Sequence, residues 1–133
     1  MGWLALTLPE EVDGLNADTI DLCLLMEQIG HGCFHEPLLD TAVIATSILA
    51  DVTDTNAKAL ANSTLESIGC GESIIALAHI DGEDRCEFTT DVIATATANG
   101  DDWTINGEKL RVFYAPNASH FIVSARVDGD SAY

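Results

Sequence analysis

The stretch Trp103-Thr104-Ile105-Asn106-Gly107-Glu108-Lys109 decides how the second half of the chain is read. Asn106-Gly107 is a two-residue pair whose backbone can take positive φ, so residues 103–105 and 109–113 are expected to fold back on each other as a hairpin. Trp103, a strand tryptophan beside a tight turn, is expected to anchor a core. Outward from this stretch, runs rich in β-branched and apolar residues predict strands over 73–80, 92–98 and 121–127. Gly82-Glu83-Asp84 and Asn99-Gly100-Asp101-Asp102 supply the turn chemistry between them.

Upstream the apolar spacing is helical. Over residues 17–29, Ile20, Leu24, Leu25 and Met26, widened by Leu22 and Ile29, predict a strongly apolar helix that Gly30 and Gly32 end. A second helix is expected over about 38–51 behind Pro37, whose missing N–H suits a first turn. A third, over about 54–68, carries Ala57, Leu60, Ala61, Leu65 and Ile68 at helical spacing, with Gly69 as a left-handed cap. Three such helices are expected to pack as a small bundle. The change of period after Gly71 predicts an α+β fold: an N-terminal helical bundle segment over residues 1–71, then an antiparallel, barrel- or sandwich-like β-domain over 72–133.

Composition sets limits on partners and compartment. With 133 residues and 47% hydrophobic content the chain can bury a core, and disorder is excluded. No apolar run is long enough to cross a bilayer and no basic-then-apolar leader opens the chain, which predicts a cytoplasmic protein. The cysteines at 23, 33, 70 and 86 form no close C-x-x-C pair and are expected to be free thiols. Asn62-Ser63-Thr64 and Asn117-Ala118-Ser119 match the glycosylation acceptor pattern, which carries no meaning without secretion. Twenty-two acidic side chains against five basic ones give a net charge of −17, which repels phosphate backbones and excludes nucleic acid and anionic membranes as partners. Such an acidic surface suits a salt-rich habitat, and folding is expected to weaken on dilution into low salt.

Several constellations invite chemistry. His31-Gly32-Cys33-Phe34-His35 holds good zinc ligands, but it lacks the paired spacing of a structural site and reads as a helix-to-loop turn. Asp81, Glu83 and Asp84 lack the register of a calcium loop and read as a solvated loop. His79 sits in a strand-like run with no acid or nucleophile paired to it in sequence, which predicts a half-buried strand residue. No nucleophile elbow, phosphate-binding loop or dinucleotide fingerprint is present.

The Trp103 to Lys109 stretch follows, in order, Gly2-Trp3, Pro9-Glu10-Glu11, Glu27-Gln28-Ile29-Gly30, Glu36-Pro37 and Gly71-Glu72, and it precedes the run NASHFIVSAR at 117–126. Together these resemble the acyl-CoA dehydrogenase family, whose pieces read G-W-x-x-x-x-x-P-E-E, E-x-x-G, G-E, W-x-[LI]-N-G-x-K and A-x-x-x-[LIV]-V-x-A-R. The resemblance implies an FAD-dependent oxidoreductase that desaturates an acyl-CoA thioester within a homo- or hetero-oligomer. In that family a glutamate of a C-terminal helical domain takes the α-proton while a hydride leaves for the flavin, so no catalytic residue is expected in this chain. The chain is then expected to be a piece of a longer architecture.

The resemblance also places the cofactor positions. Against the family's T-E-P-x-A-G-S segment stands His79-Ile80-Asp81-Gly82-Glu83-Asp84-Arg85, which puts His79 at the flavin-bonding threonine and Arg85 at the serine that touches the CoA arm. Against W-I-T-N stands Arg111-Val112-Phe113-Tyr114, so Val112, Phe113 and Tyr114 fall on the flavin-facing turn, and Phe113 replaces a hydroxyl. Clamping the phosphates of FAD or CoA would fall to Lys58, Arg85, Lys109, Arg111 and Arg126, or to groups outside the sequence. The loss of both hydroxyls resembles subunits of heteromeric family members that have lost their flavin site, and so implies an alternative: a non-catalytic subunit that braces a flavin-bearing partner.

Overall fold

Acidic caps set the helix starts in the computed structural model, which describes residues 2–82, 92–100, 102–127 and 130–132. The Asp18 carboxylate accepts the N–H groups of Ile20 and Asp21, and Asp21 accepts from the Asp18 N–H in return, which starts α1 (Thr19–His31) with a reciprocal cap. Asp54 caps α3 (Thr55–Gly69) through the N–H groups of Asn56 and Ala57. Gly30 lies inside α1 rather than ending it, and Gly32 is the cap. Likewise Gly69 stays helical, and the left-handed residue is Gly71 (φ 79). Gly69 packs closely instead: a Cβ there would meet the Leu8 Cδ1 at 3.1 Å, so that side chain would have to give by a few tenths of an ångström.

The expected second helix is divided. A π-helical segment, Leu38–Ala45, runs from Pro37 into a short α2 (Thr46–Ala50). It buries Leu38, Thr41, Ala42 and Ala45. The Thr41 hydroxyl donates to the Ile75 carbonyl (3.0 Å) and accepts the Ile75 N–H (3.2 Å), so this segment is stitched to the first strand. Leu8, Val12 and Leu65 form one buried cluster, while Ala45, Ile68 and Ile75 form a second, with Leu49 packed against both. Each fully buried Leu or Ile there contributes roughly 1.5–3 kcal/mol. The expected bundle is loosest at α1, where Leu22, Leu25, Met26 and Ile29 are only half-buried. Helix α1 buries none of its residues, and its Ile20 and Leu24 are 68% and 57% exposed.

Strands follow helices, as an α+β fold requires, but the pairing is mixed rather than purely antiparallel. β1 (Ile75–Ala78) lies parallel to β4 (His120–Val123) in one sheet. A second sheet takes the order β3-β2-β5-β6 from β2 (Thr95–Asn99), β3 (Asp102–Asn106), β5 (Ala125–Val127) and β6 (Asp130–Ala132), with β2 and β5 parallel. Each parallel pair is joined by a long connection, the condition parallel pairing needs. The single strand expected over 121–127 is two, divided at the buried Ser124, where the chain passes from one sheet to the other.

The hairpin itself is displaced. The chain reverses after Asn99, with Gly100 at φ 68, pairing Asn99 with Asp102, Ala98 with Trp103 and Ala96 with Ile105. Residues 109–113 form no strand, and only an isolated bridge joins Lys109 to Asp81. Gly107 matters for space rather than for a turn. A Cβ on it would lie 2.6 Å from the Ala94 Cβ, so its bare backbone permits a close approach. Nor does Trp103 anchor a core. Every residue of β3 is exposed, Trp103 by 56% and Ile105 by 51%, because the apolar face shared by Ala96, Ala98, Trp103, Ile105 and Val127 has no cover among the described residues. No helix of the described residues is long and apolar enough to cross a membrane.

Candidate functional site

The chemistry-bearing side chains meet where β1 ends. Lys109 donates all three of its ammonium protons inward: to the Asp81 Oδ2 at 2.7 Å, the Ser124 Oγ at 3.0 Å and the His79 carbonyl at 3.2 Å. The Lys109 and Asp81 side chains are only 8% and 5% exposed, and Ser124 is fully buried. Asp81 Oδ2 also accepts the Ile93 N–H at 3.0 Å, and the Ser124 hydroxyl lies 3.0 Å from the His79 Nδ1. Burial alone would raise the Asp81 pKa. The Lys109 hydrogen bond and charge and the amides of Ile93 and Ala94 outweigh it, and they hold the carboxyl below its ordinary value of 3.8. The knot therefore joins the ends of β1 and β4 to the chain after β3 with every buried polar atom partnered among the described residues.

This geometry overturns two sequence readings. Asp81 belongs to a buried ion pair, not a solvated loop; Glu83, Asp84 and Arg85 lie outside the described residues. Lys109 is not a phosphate clamp, since its protons are spent on protein acceptors. Spacing could not have found the pair, because its members stand 28 residues apart.

The expected flavin-facing positions separate. The Leu110 N–H donates to the Ile80 carbonyl at 2.9 Å, which lays the chain beside the end of β1. Arg111 and Tyr114 then take left-handed φ values of 52° and 56°, costing roughly 1–3 kcal/mol each. This irregular turn leaves Phe113 64% exposed, with Val112 and Tyr114 half-buried. The Tyr114 ring tilts against His35, centroids 6.0 Å apart, so it ties the turn to the loop after α1. His79 is half-buried, as a structural strand residue would be, with its Nδ1 on Ser124. Among the described residues no three His, Cys, Asp or Glu side chains gather as a metal site, and His31, Cys33 and His35 are not brought together as ligands.

An isoalloxazine needs a flat partner and polar hydrogens near its ring edge. Phe113 supplies an accessible flat face, while no hydroxyl stands at 113 and one nitrogen of His79 is engaged. The residues fit stacking and do not reproduce the hydroxyl pair.

Comparison with known proteins agrees with this layout. The acyl-CoA dehydrogenase N-terminal domain matches residues 1–64. The short-chain specific acyl-CoA dehydrogenase of human mitochondria is 28% identical over 131 residues, covering 96% of this chain and 31% of that protein. FadE26 of Mycobacterium tuberculosis is 25% identical over 134 residues, covering 98% of this chain and 32% of that protein. The chain thus spans about a third of the length of the curated relatives it matches. Among solved structures, the ChsE4-ChsE5 complex of Mycobacterium tuberculosis superposes with a TM-score of 0.81 at 25% identity over 98% of this chain and 34% of its own. KijD3, solved with FMN and a dTDP-linked amino sugar, gives 0.68 at 25% identity over 96% and 31%.

Proposed function

Since the chain belongs to the acyl-CoA dehydrogenase family, we propose that it forms the helical and strand portions of an FAD-dependent oxidoreductase that desaturates an acyl-CoA thioester. The observation that carries this reading is the match along 96–98% of the chain, through helices and strands alike. In the proposed enzyme residues 1–71 and 72–133 act as two domains, and Phe113 offers the flavin its flat face beside the end of β1. Arg85 meets a phosphate. When bound, the flavin accepts the hydride; the proton is taken by a base from outside these residues. Asp81 cannot serve, because its carboxylate is sealed against Lys109.

A second reading rests on a separate observation. Among the described residues, Trp103, Ile105 and Ala98 share an uncovered face on the edge strand β3 and its neighbour, and exposed edges are templates for pairing. With the two hydroxyls lost, the chain then braces a flavin-bearing partner instead of holding flavin itself.

Flavin absorbance of the purified chain discriminates the two. One flavin per chain, weakened by Phe113→Ala, supports the enzyme. A colourless chain that forms a stable complex with a flavin-bearing acyl-CoA dehydrogenase, lost in Trp103→Ala, supports the brace. A colourless monomer that captures no such subunit overturns both.

A further inference from the structure

Apart from the Lys109 knot and the Phe113 turn, a cleft of about 370 Å³ opens between the start of the chain, the end of α1 and the entry to the π-helical segment. Its size lies in the range of small-molecule sites. Ile29, Leu38 and Ile74 make its aliphatic wall, Trp3 and Phe34 bring aromatic rings that are 44% and 61% exposed, and Glu36 is the one ionisable lining residue among the described residues. The loop that carries the last two is specially shaped. Cys33 takes a left-handed φ of 50°, and the Phe34 ring folds so close over Gly32 that a Cβ there would stand 2.7 Å from it.

We propose that this cleft binds an apolar molecule bearing one ammonium-type cation, its hydrocarbon against the aliphatic wall and its charge beside Trp3, Phe34 and Glu36. Aromatic faces attract cations through their ring quadrupole. A carboxylate as the only lining charge among the described residues, on a chain of net charge −17, opposes an anion at the same place. The site is independent of flavin binding, and its failure would leave the oxidoreductase reading untouched.

The test uses the Trp103→Phe chain, in which Trp3 is the remaining indole of the two. Its fluorescence is titrated at physiological salt with phenylbutyltrimethylammonium, the neutral tert-butyl isostere and phenylbutyl sulfonate. The ammonium is expected to bind saturably, about tenfold tighter than the isostere, with no response to the sulfonate. Glu36→Gln should weaken the ammonium about fivefold. Glu66→Gln, which removes the same charge from α3 outside the cleft, should leave it unchanged. Equal binding of the three probes, no saturable response, or equal losses in the two glutamine variants would overturn the proposal.

Discussion

Trp103 and Lys109 belong to one seven-residue motif, and the fold sends them opposite ways: the indole is 56% exposed, while the lysine side chain is 8% exposed. Hydrophobicity alone predicts the reverse. What decides is partner supply. Lys109 reaches three acceptors at the end of β1, so its charge is compensated inside. Trp103 stands on an edge strand whose apolar face meets no second layer among the described residues, so it has nothing to bury against. For these two residues burial follows the supply of partners rather than apolarity, while Ile75, Ala76, Val92 and Ala125 form the buried apolar set of the same half.

Removing the lysine should produce the largest effect. Lys109→Met leaves the Asp81 carboxylate buried without its counter-charge and should cost about 3–5 kcal/mol in urea unfolding. A loss below about 1 kcal/mol would place Lys109 among ordinary surface cations. Gly107→Ala comes next, because its Cβ would collide with Ala94, and a loss of about 1–3 kcal/mol is expected. A neutral result there would return Asn106-Gly107 to the role of an open turn.

Acid sharpens the contrast from the electrostatic side. The Asp81 pKa is lower in the folded than in the unfolded chain, so its contribution is complete above the ordinary carboxylate value and is lost as pH falls through the folded value. The stability gap between the natural chain and Asp81→Asn should therefore hold steady above about pH 5 and close below about pH 4. A gap independent of pH would show that Asp81 is not charged in the fold. The smallest effect belongs to the other end of the motif. Trp103→Ala should shift the stability of the isolated chain by no more than about 0.5 kcal/mol, and a larger loss would mean the indole is packed after all.

Much of the helical half was legible because its signals are local. Leu65 and Ile68 are buried where the period put them. The apolar stripe of α1 shows the limit, since period identifies a face and does not supply its cover. In the strand half, Asn99-Gly100 and Asn106-Gly107 carry the same turn chemistry, and the choice between them was made by the contact of Gly107 with Ala94 and by the anchoring of Lys109. Those partners lie too far apart in sequence for any local pattern to join them. Of the candidate site, the family resemblance pointed to Phe113 as a flavin-facing position, while the docking of Tyr114 on His35 depends on a loop from the other half and left no trace in spacing.

A double-mutant cycle across Asp81 and Lys109, read by urea unfolding at neutral pH, measures the knot itself. If this buried pair holds the strand half together, Asp81→Leu with Lys109→Met should recover much of the single-variant loss, with a coupling of about 1–3 kcal/mol. Losses that simply add, with no coupling between the two positions, would contradict it.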